Sequence, residues 1–141
     1  MKLKILVLLS AILLLGGSCK QKAESEKEPS QMDQVMAIHD EVMPKMSTIG
    51  KLVKELKPRA DSTEMGMKYD KAMKDLQASH KSMMDWMKGF GDRFEPAEIL
   101  DGKELTEQKQ LWLDEEEIKV KEMRDQINTS IANAEKLLQG Q

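Results

Sequence analysis

His39 and His80 are the only histidines in this chain of 141 residues, and both stand among methionines. Ten of the eleven methionines that follow Met1 fall between Met32 and Met87. Imidazole and thioether share one chemistry, donation to a soft metal: thioether sulfur selects Cu(I) or Ag(I), and neutral imidazole binds copper well. The spacings Met36-x2-His39 and His80-x2-Met83 put each histidine one helical turn from a sulfur. Met43, Met84 and Met87 lie within two turns of the same histidines. If the chain doubles back near residue 60, His39 and His80 occupy nearly the same layer of two antiparallel helices. Thioethers of Met36, Met43, Met83, Met84 and Met87 then converge on them.

Two plainer uses compete with that reading. Methionine fills irregular cores, and a methionine-rich apolar face also makes an adaptable surface for a protein partner. A histidine at a core edge needs only one carboxylate beside it, and Asp40 and Asp85 are both close in sequence. Burial separates the readings, because an enclosed cluster is packing and an open one can take a metal or a partner. The short Met/His spacings also resemble motifs of periplasmic copper- and silver-binding proteins, over two helical turns rather than a whole fold.

Enzymatic constellations are not evident. There is no glycine-rich phosphate loop and no His-Glu-x-x-His pair. Surface carboxylates are plentiful, but without an enclosing pocket they have no assignable acid–base role. The chain is therefore expected not to be an enzyme.

The sole cysteine, Cys19, ends a distinctive leader. Lys2 and Lys4 precede an apolar run from Ile5 to Leu15, and Gly16, Gly17 and Ser18 supply the small residues of a processing site. The run is too short for an ordinary membrane span and reads as a secretory signal. The segment resembles the lipobox of bacterial lipoproteins, with Gly16 where leucine is usual, as in the looser lipoboxes of Bacteroidota. The resemblance implies lipid on the Cys19 thiol, cleavage after Ser18, and attachment to membrane lipid at the cell envelope. Lys20 after the cysteine resembles the outer-membrane sorting pattern of Gram-negative lipoproteins. Residues 20–30 hold three lysines, three glutamates and no strongly apolar side chain, which suits a charged tether. The expected layout is a signal peptide at 1–18, lipidated cysteine and tether at 19–30, and a helical domain at 31–141.

The domain is rich in Met, Leu, Lys, Glu, Gln and Ala and sparse in β-branched alternation, so it reads as all-α. Ser30 with Asp33 forms a capping signal. A stripe follows at Val35, His39, Val42, Met46, Ile49, Val53 and Leu56, interrupted by Pro44 and stopped by Pro58. A second stripe, after caps at Asp61 and Glu64, runs Tyr69, Met73, Leu76, His80, Met83, Met87 and Phe90, with Gly89 and Gly91 as its end. Asp92 to Gly102 reads as a loop. A third helix starting near Asp101 or Thr106 carries Leu113, Val120, Met123, Ile127, Ile131, Ala134 and Leu138. These stripes predict an antiparallel three-helix bundle; the alternative is an elongated coiled-coil hairpin whose third helix pairs elsewhere.

Trp86 belongs to the segment His80-Lys-Ser-Met-Met-Asp-Trp-Met-Lys-Gly-Phe90 and reads as a core residue or as a cover for the His/Met cluster. With His39-Asp-Glu-Val-Met-Pro44, that segment resembles small helical Bacteroidota lipoproteins sometimes labelled viral A-type inclusion proteins, a likeness that implies no activity. Residues 32–91 carry ten basic and nine acidic side chains, and residues 92–141 carry seven and thirteen. With no dense basic footprint, nucleic acid is not an expected partner. The acidic run Asp114 to Glu117 is either a solvated face or a contact for a basic envelope protein. The sequence thus suggests a membrane-anchored structural or protein-interaction module, with soft-metal binding as the alternative.

Overall fold

In the computed structural model, which describes residues 28–140, the first helix opens where Ser30 and Asp33 predict it. The Ser30 hydroxyl accepts the Asp33 N–H at 3.1 Å, and the Asp33 carboxylate accepts the Ser30 N–H at 2.9 Å. This reciprocal cap satisfies two N–H groups that have no partner inside the helix. Helix α1 (Gln31–Val42) ends just before Pro44, and α2 (Lys45–Leu56) begins just after it. Met43 (φ −55°, ψ −43°) and Pro44 (φ −62°, ψ −25°) keep helical dihedrals. The proline thus breaks the hydrogen-bond ladder without sending the chain in a new direction.

After Leu56 the chain tightens into a 3-10 turn, Lys57–Arg59, with Pro58 inside it. Proline costs little there, because an N–H in the first turn would have no helical partner. The Asp61 carboxylate accepts the Thr63 N–H at 2.8 Å, and the Thr63 hydroxyl accepts the Gly66 N–H at 3.0 Å. These bonds start α3 (Glu64–Arg93). A Cβ on Gly66 would lie 2.6 Å from the Asp61 backbone nitrogen, so this connection can close so tightly only around glycine.

Helix α3 runs thirty residues and passes through Gly89 and Gly91, where the sequence had suggested its end. Each glycine costs about 1 kcal/mol in a helix. The rings around them offset that cost. Trp86, Phe90 and Phe94 stack along the helix with successive centroids 4.8 Å apart, and all three are buried. The expected loop after Asp92 also contains a short helix, α4 (Pro96–Leu100), and turns at Gly102 (φ +69°). Helix α5 (Glu107–Gln139) starts on a Thr106 cap, one of the two predicted starts.

Cross-helix bonds fix the directions. Gln31 donates to Asp114 at 2.9 Å and Lys45 donates to Asn128 at 2.7 Å, so the α1–α2 rod runs parallel to α5. Ser79 bonds Ser130 at 2.9 Å and Arg93 bonds Glu115 at 2.7 Å, so α3 runs antiparallel to both. Helix α5 packs on α3 and on both halves of the first rod. The described residues form an all-α, up-down-up bundle without strands.

The core repeats every seven residues: Val35, Val42, Ile49 and Leu56 on the first rod, and Tyr69, Leu76, Met83 and Phe90 on α3. The second buried row of α3 is Ala72, Ser79 and Trp86 rather than the predicted Met73, His80 and Met87. Helix α5 adds Leu113, Val120, Met123, Ile127, Ser130 and Ala134. Met83 is fully buried, whereas Met84 is 39% exposed. Met83→Ala should cost about 2–5 kcal/mol in chemical denaturation. Met84→Ala should stay within about 0.5 kcal/mol of the parent.

Candidate functional site

The register between the first rod and α3 decides which chemically useful residues meet. Bonds from both rods to α5 place Lys45 beside Asn128 and Ser82 beside Gln126. His39 consequently lies level with Trp86, and their rings stack with centroids 5.6 Å apart and planes 27° apart. His80 precedes Trp86 by six residues, about 9 Å along the helix axis. His80 is exposed and lines an apolar groove of about 260 Å³ with Ile49, Gly50, Val53 and Gln77. The two histidines therefore do not share a layer. The expected convergence placed the turn near residue 60; the 3-10 turn carries the first rod further, so the connection centres beyond it.

The methionines divide with the helix faces. Met83 is sealed in the core, and Met36 is partly buried against it. Met43, Met84 and Met87 are 37%, 39% and 39% exposed. Met36 and Met43 flank His39 at one turn on either side, on the face by which α1 meets Trp86. Met84 and Met87 continue the exposed row of His80 toward the level of His39. Met36 and Met43 thus stand one turn either side of His39, Met87 follows the Trp86 on which its ring stacks, and His80 and Met84 stand earlier along α3. Trp86 is 8% exposed, in keeping with its expected place in the core.

His39 has a defined polar environment. Its side chain is 12% exposed, and Nδ1 lies 2.9 Å from Asp40 Oδ1. An ionised carboxylate can only accept, so Nδ1 carries the proton, and in the neutral ring the lone pair resides on Nε2. That nitrogen is buried and has no hydrogen-bond partner in the protein. Trp86 Nε1 is buried without a partner as well. Among the described residues, no group of three or more His, Cys, Asp or Glu side chains is placed to hold a metal ion. Any cation at His39 would depend on sulfur for its remaining ligands. Cys19 lies outside the described residues.

A second polar centre, not anticipated from the sequence, closes the end of the bundle that carries α4. Glu116 is only 2% exposed and accepts from Arg93 at 3.0 Å and Lys119 at 2.9 Å. Arg93 also reaches Glu115 and lies over the Trp112 ring, 5.5 Å from its centroid. Glu98, 5% exposed, takes two bonds from Lys109 at 2.9 and 2.7 Å. Its carboxylate also accepts the Glu95 N–H. The signals existed in the sequence: Glu116 stands three residues after Leu113 and four before Val120, and Glu95-Pro-Ala-Glu98 has the spacing of a capping box. The acidic run is occupied from within, since Asp114 and Glu117 both hold Gln31 and Glu117 also holds Lys121.

No family model, curated protein or solved structure matches this chain.

Two outcomes test the charged end. Arg93→Met leaves the buried Glu116 with Lys119 alone, and should lower unfolding free energy by about 3 kcal/mol in urea. The Lys109 bond, then the Glu95 N–H, holds the Glu98 carboxyl below the ordinary glutamate range, against a smaller opposing effect of burial. A carboxyl lowered in the folded state stabilises fully above its unfolded pKa, and that stability is lost as pH falls through the folded value. Thermal unfolding followed across the acid range should show this loss, and Glu98→Gln should make the fall with acid shallower.

Proposed function

We propose that this chain is a lipid-anchored helical module of the bacterial envelope, with a structural or protein-interaction role. The observation that carries the reading is the run from Lys2 to Cys19: two positive residues, an apolar segment, Gly-Gly-Ser, then the only cysteine. Two or more acyl chains anchor a protein stably, whereas one does so only marginally. No helix among the described residues is long and apolar enough to cross a membrane, so attachment in this reading rests on Cys19.

The folded part suits a presenting role. Large apolar side chains stand exposed at Leu111 and Ile118, seven residues apart on one face of α5, at Met43 after α1, and at Met84 and Met87 on α3. Scattered exposed apolar residues are ordinary, but a row along one helix face offers a partner continuous contact. The charged residues after Cys19 set that surface away from the bilayer.

Metabolic labelling with an alkyne fatty acid tests the anchor. The parent chain should take up label and sediment with membranes. Cys19→Ala should lose both. An unlabelled, soluble parent, or a Cys19→Ala chain that labels as the parent does, would overturn the reading.

A further inference from the structure

We infer that His39 is the anchor of a soft-cation site, with Nε2 and the thioethers of Met36, Met43 and Met87 as ligands for one Cu(I) or Ag(I). The inference goes beyond the proposed envelope role and stands on the bundle alone. Its first support is the unpartnered Nε2. A buried nitrogen with no hydrogen bond forfeits the solvation it would have had in water, and buried polar groups in proteins are nearly always satisfied. A bound cation supplies the missing partner.

Its second support is the state of that nitrogen. The Nδ1–H of His39 is directed to Asp40 Oδ1 at 2.9 Å. A metal-binding imidazole usually donates its other N–H to a carboxylate or carbonyl, which fixes the tautomer and raises the basicity of the ligating nitrogen. Asp40 is placed for this task.

Its third support is the set of thioethers at neighbouring positions. Met36 stands one turn before His39 on α1, Met43 one turn after it just past the helix end, and Met87 follows Trp86, the residue on which the imidazole stacks. Neighbouring helices lie about 8–10 Å apart, a gap that flexible methionines on facing positions can bridge. Met43 and Met87 reach solvent, so an arriving cation meets sulfur before it meets Nε2. No anionic set of ligands accompanies the histidine, which disfavours hard and borderline divalent ions and favours a monovalent soft one. A cation bound in the imidazole plane lies on the same side of the indole as the imidazole does. Trp86 therefore adds attraction from its ring face and serves as a reporter.

The test uses the full mature chain, purified in detergent from membranes or, if it is not anchored, from the soluble exported fraction. Failure of the lipoprotein reading thus leaves this test intact. Cu(I) is titrated anaerobically against a chromogenic chelator, and Ag(I) is followed by indole emission. The expected result is one ion per chain with quenched indole emission. His39→Ala and the triple variant Met36→Leu, Met43→Leu, Met87→Leu should each weaken binding at least tenfold. His80→Ala and the pair Met65→Leu, Met67→Leu should bind as the parent does. Leucine retains methionine's volume, so the triple variant keeps the test valid if His39→Ala fails to fold, as circular dichroism will show. A parent that binds no tighter than the triple variant overturns the site. So does a His80→Ala variant that loses as much affinity as His39→Ala.

Discussion

The levels of the bundle depend on one tight connection. Asp61 holds Thr63, Thr63 caps Gly66, and the absent side chain of Gly66 lets the Asp61 backbone lie against α3. Because the 3-10 turn of Lys57–Arg59 precedes this knot, the chain reverses a few residues later than Pro58 suggests. Each residue of delay moves the facing helix by two positions in register. A displacement of five positions, about 7 Å, is enough to exchange one set of neighbours for another. With this connection, His39 comes to Trp86 and the seven-residue rows come level, Val42 near Met83 and Ile49 near Leu76. The chemistry available to the histidines follows from the turn, not from the spacing within either helix.

The long helices, their order and their direction were legible from periodicity, and so was every seventh residue of the core, but the short helix α4 was read as loop. The second row on α3 was not. Spacing by three or four leaves a choice between 72, 79 and 86 on one flank and 73, 80 and 87 on the other. Hydrophobicity favours the second set, since Met73 and Met87 are large and apolar while Ser79 is polar. The third helix decides otherwise. Ser79 bonds the Asp75 carbonyl at 3.0 Å and Ser130 at 2.9 Å, so two small hydroxyls satisfy each other where α3 and α5 meet. A polar residue that closes its own hydrogen bonds can occupy a core that a hydropathy ranking reserves for methionine. That exchange also turns His80 outward, so helix face as well as register keeps the predicted pair of histidines from forming.

The charged end obeys a different balance. Desolvating Glu116 and Glu98 costs energy that hydrophobic residues would not demand, so these pairs are poor evidence of stability by themselves. What they do is tie segments distant in sequence. Arg93, at the last turn of α3, engages Glu115 and Glu116 on α5, and Lys109 in the first turns of α5 engages Glu98 on α4. The connection between α3 and α5 is thereby held by one tie before α4 and one from within it. The negative excess of residues 92–141 looks like a surface property in the sequence, yet part of it is spent internally on these ties. A lone acidic residue inside an apolar stripe was the readable sign, but Arg93, one of its two cationic partners, lies more than twenty residues away and depends on the fold.

His39 and Trp86 pose the remaining energetic question. Each presents a buried nitrogen without a partner, at one level of the bundle. Such atoms cost about 1–3 kcal/mol apiece, against a total stability of about 5–15 kcal/mol for a domain of this kind. Leucine at position 39 would continue the apolar stripe and avoid the cost, as Val35 and Val42 do in the rows on either side. A fold consistent at every other layer concentrates its departures where something besides stability is served. The Asp40 contact sharpens the point. It leaves the outer nitrogen, Nδ1, satisfied at the surface and the inner one, Nε2, without a partner in the protein. A histidine required only for packing has no need of that orientation; a histidine that takes a ligand on Nε2 does.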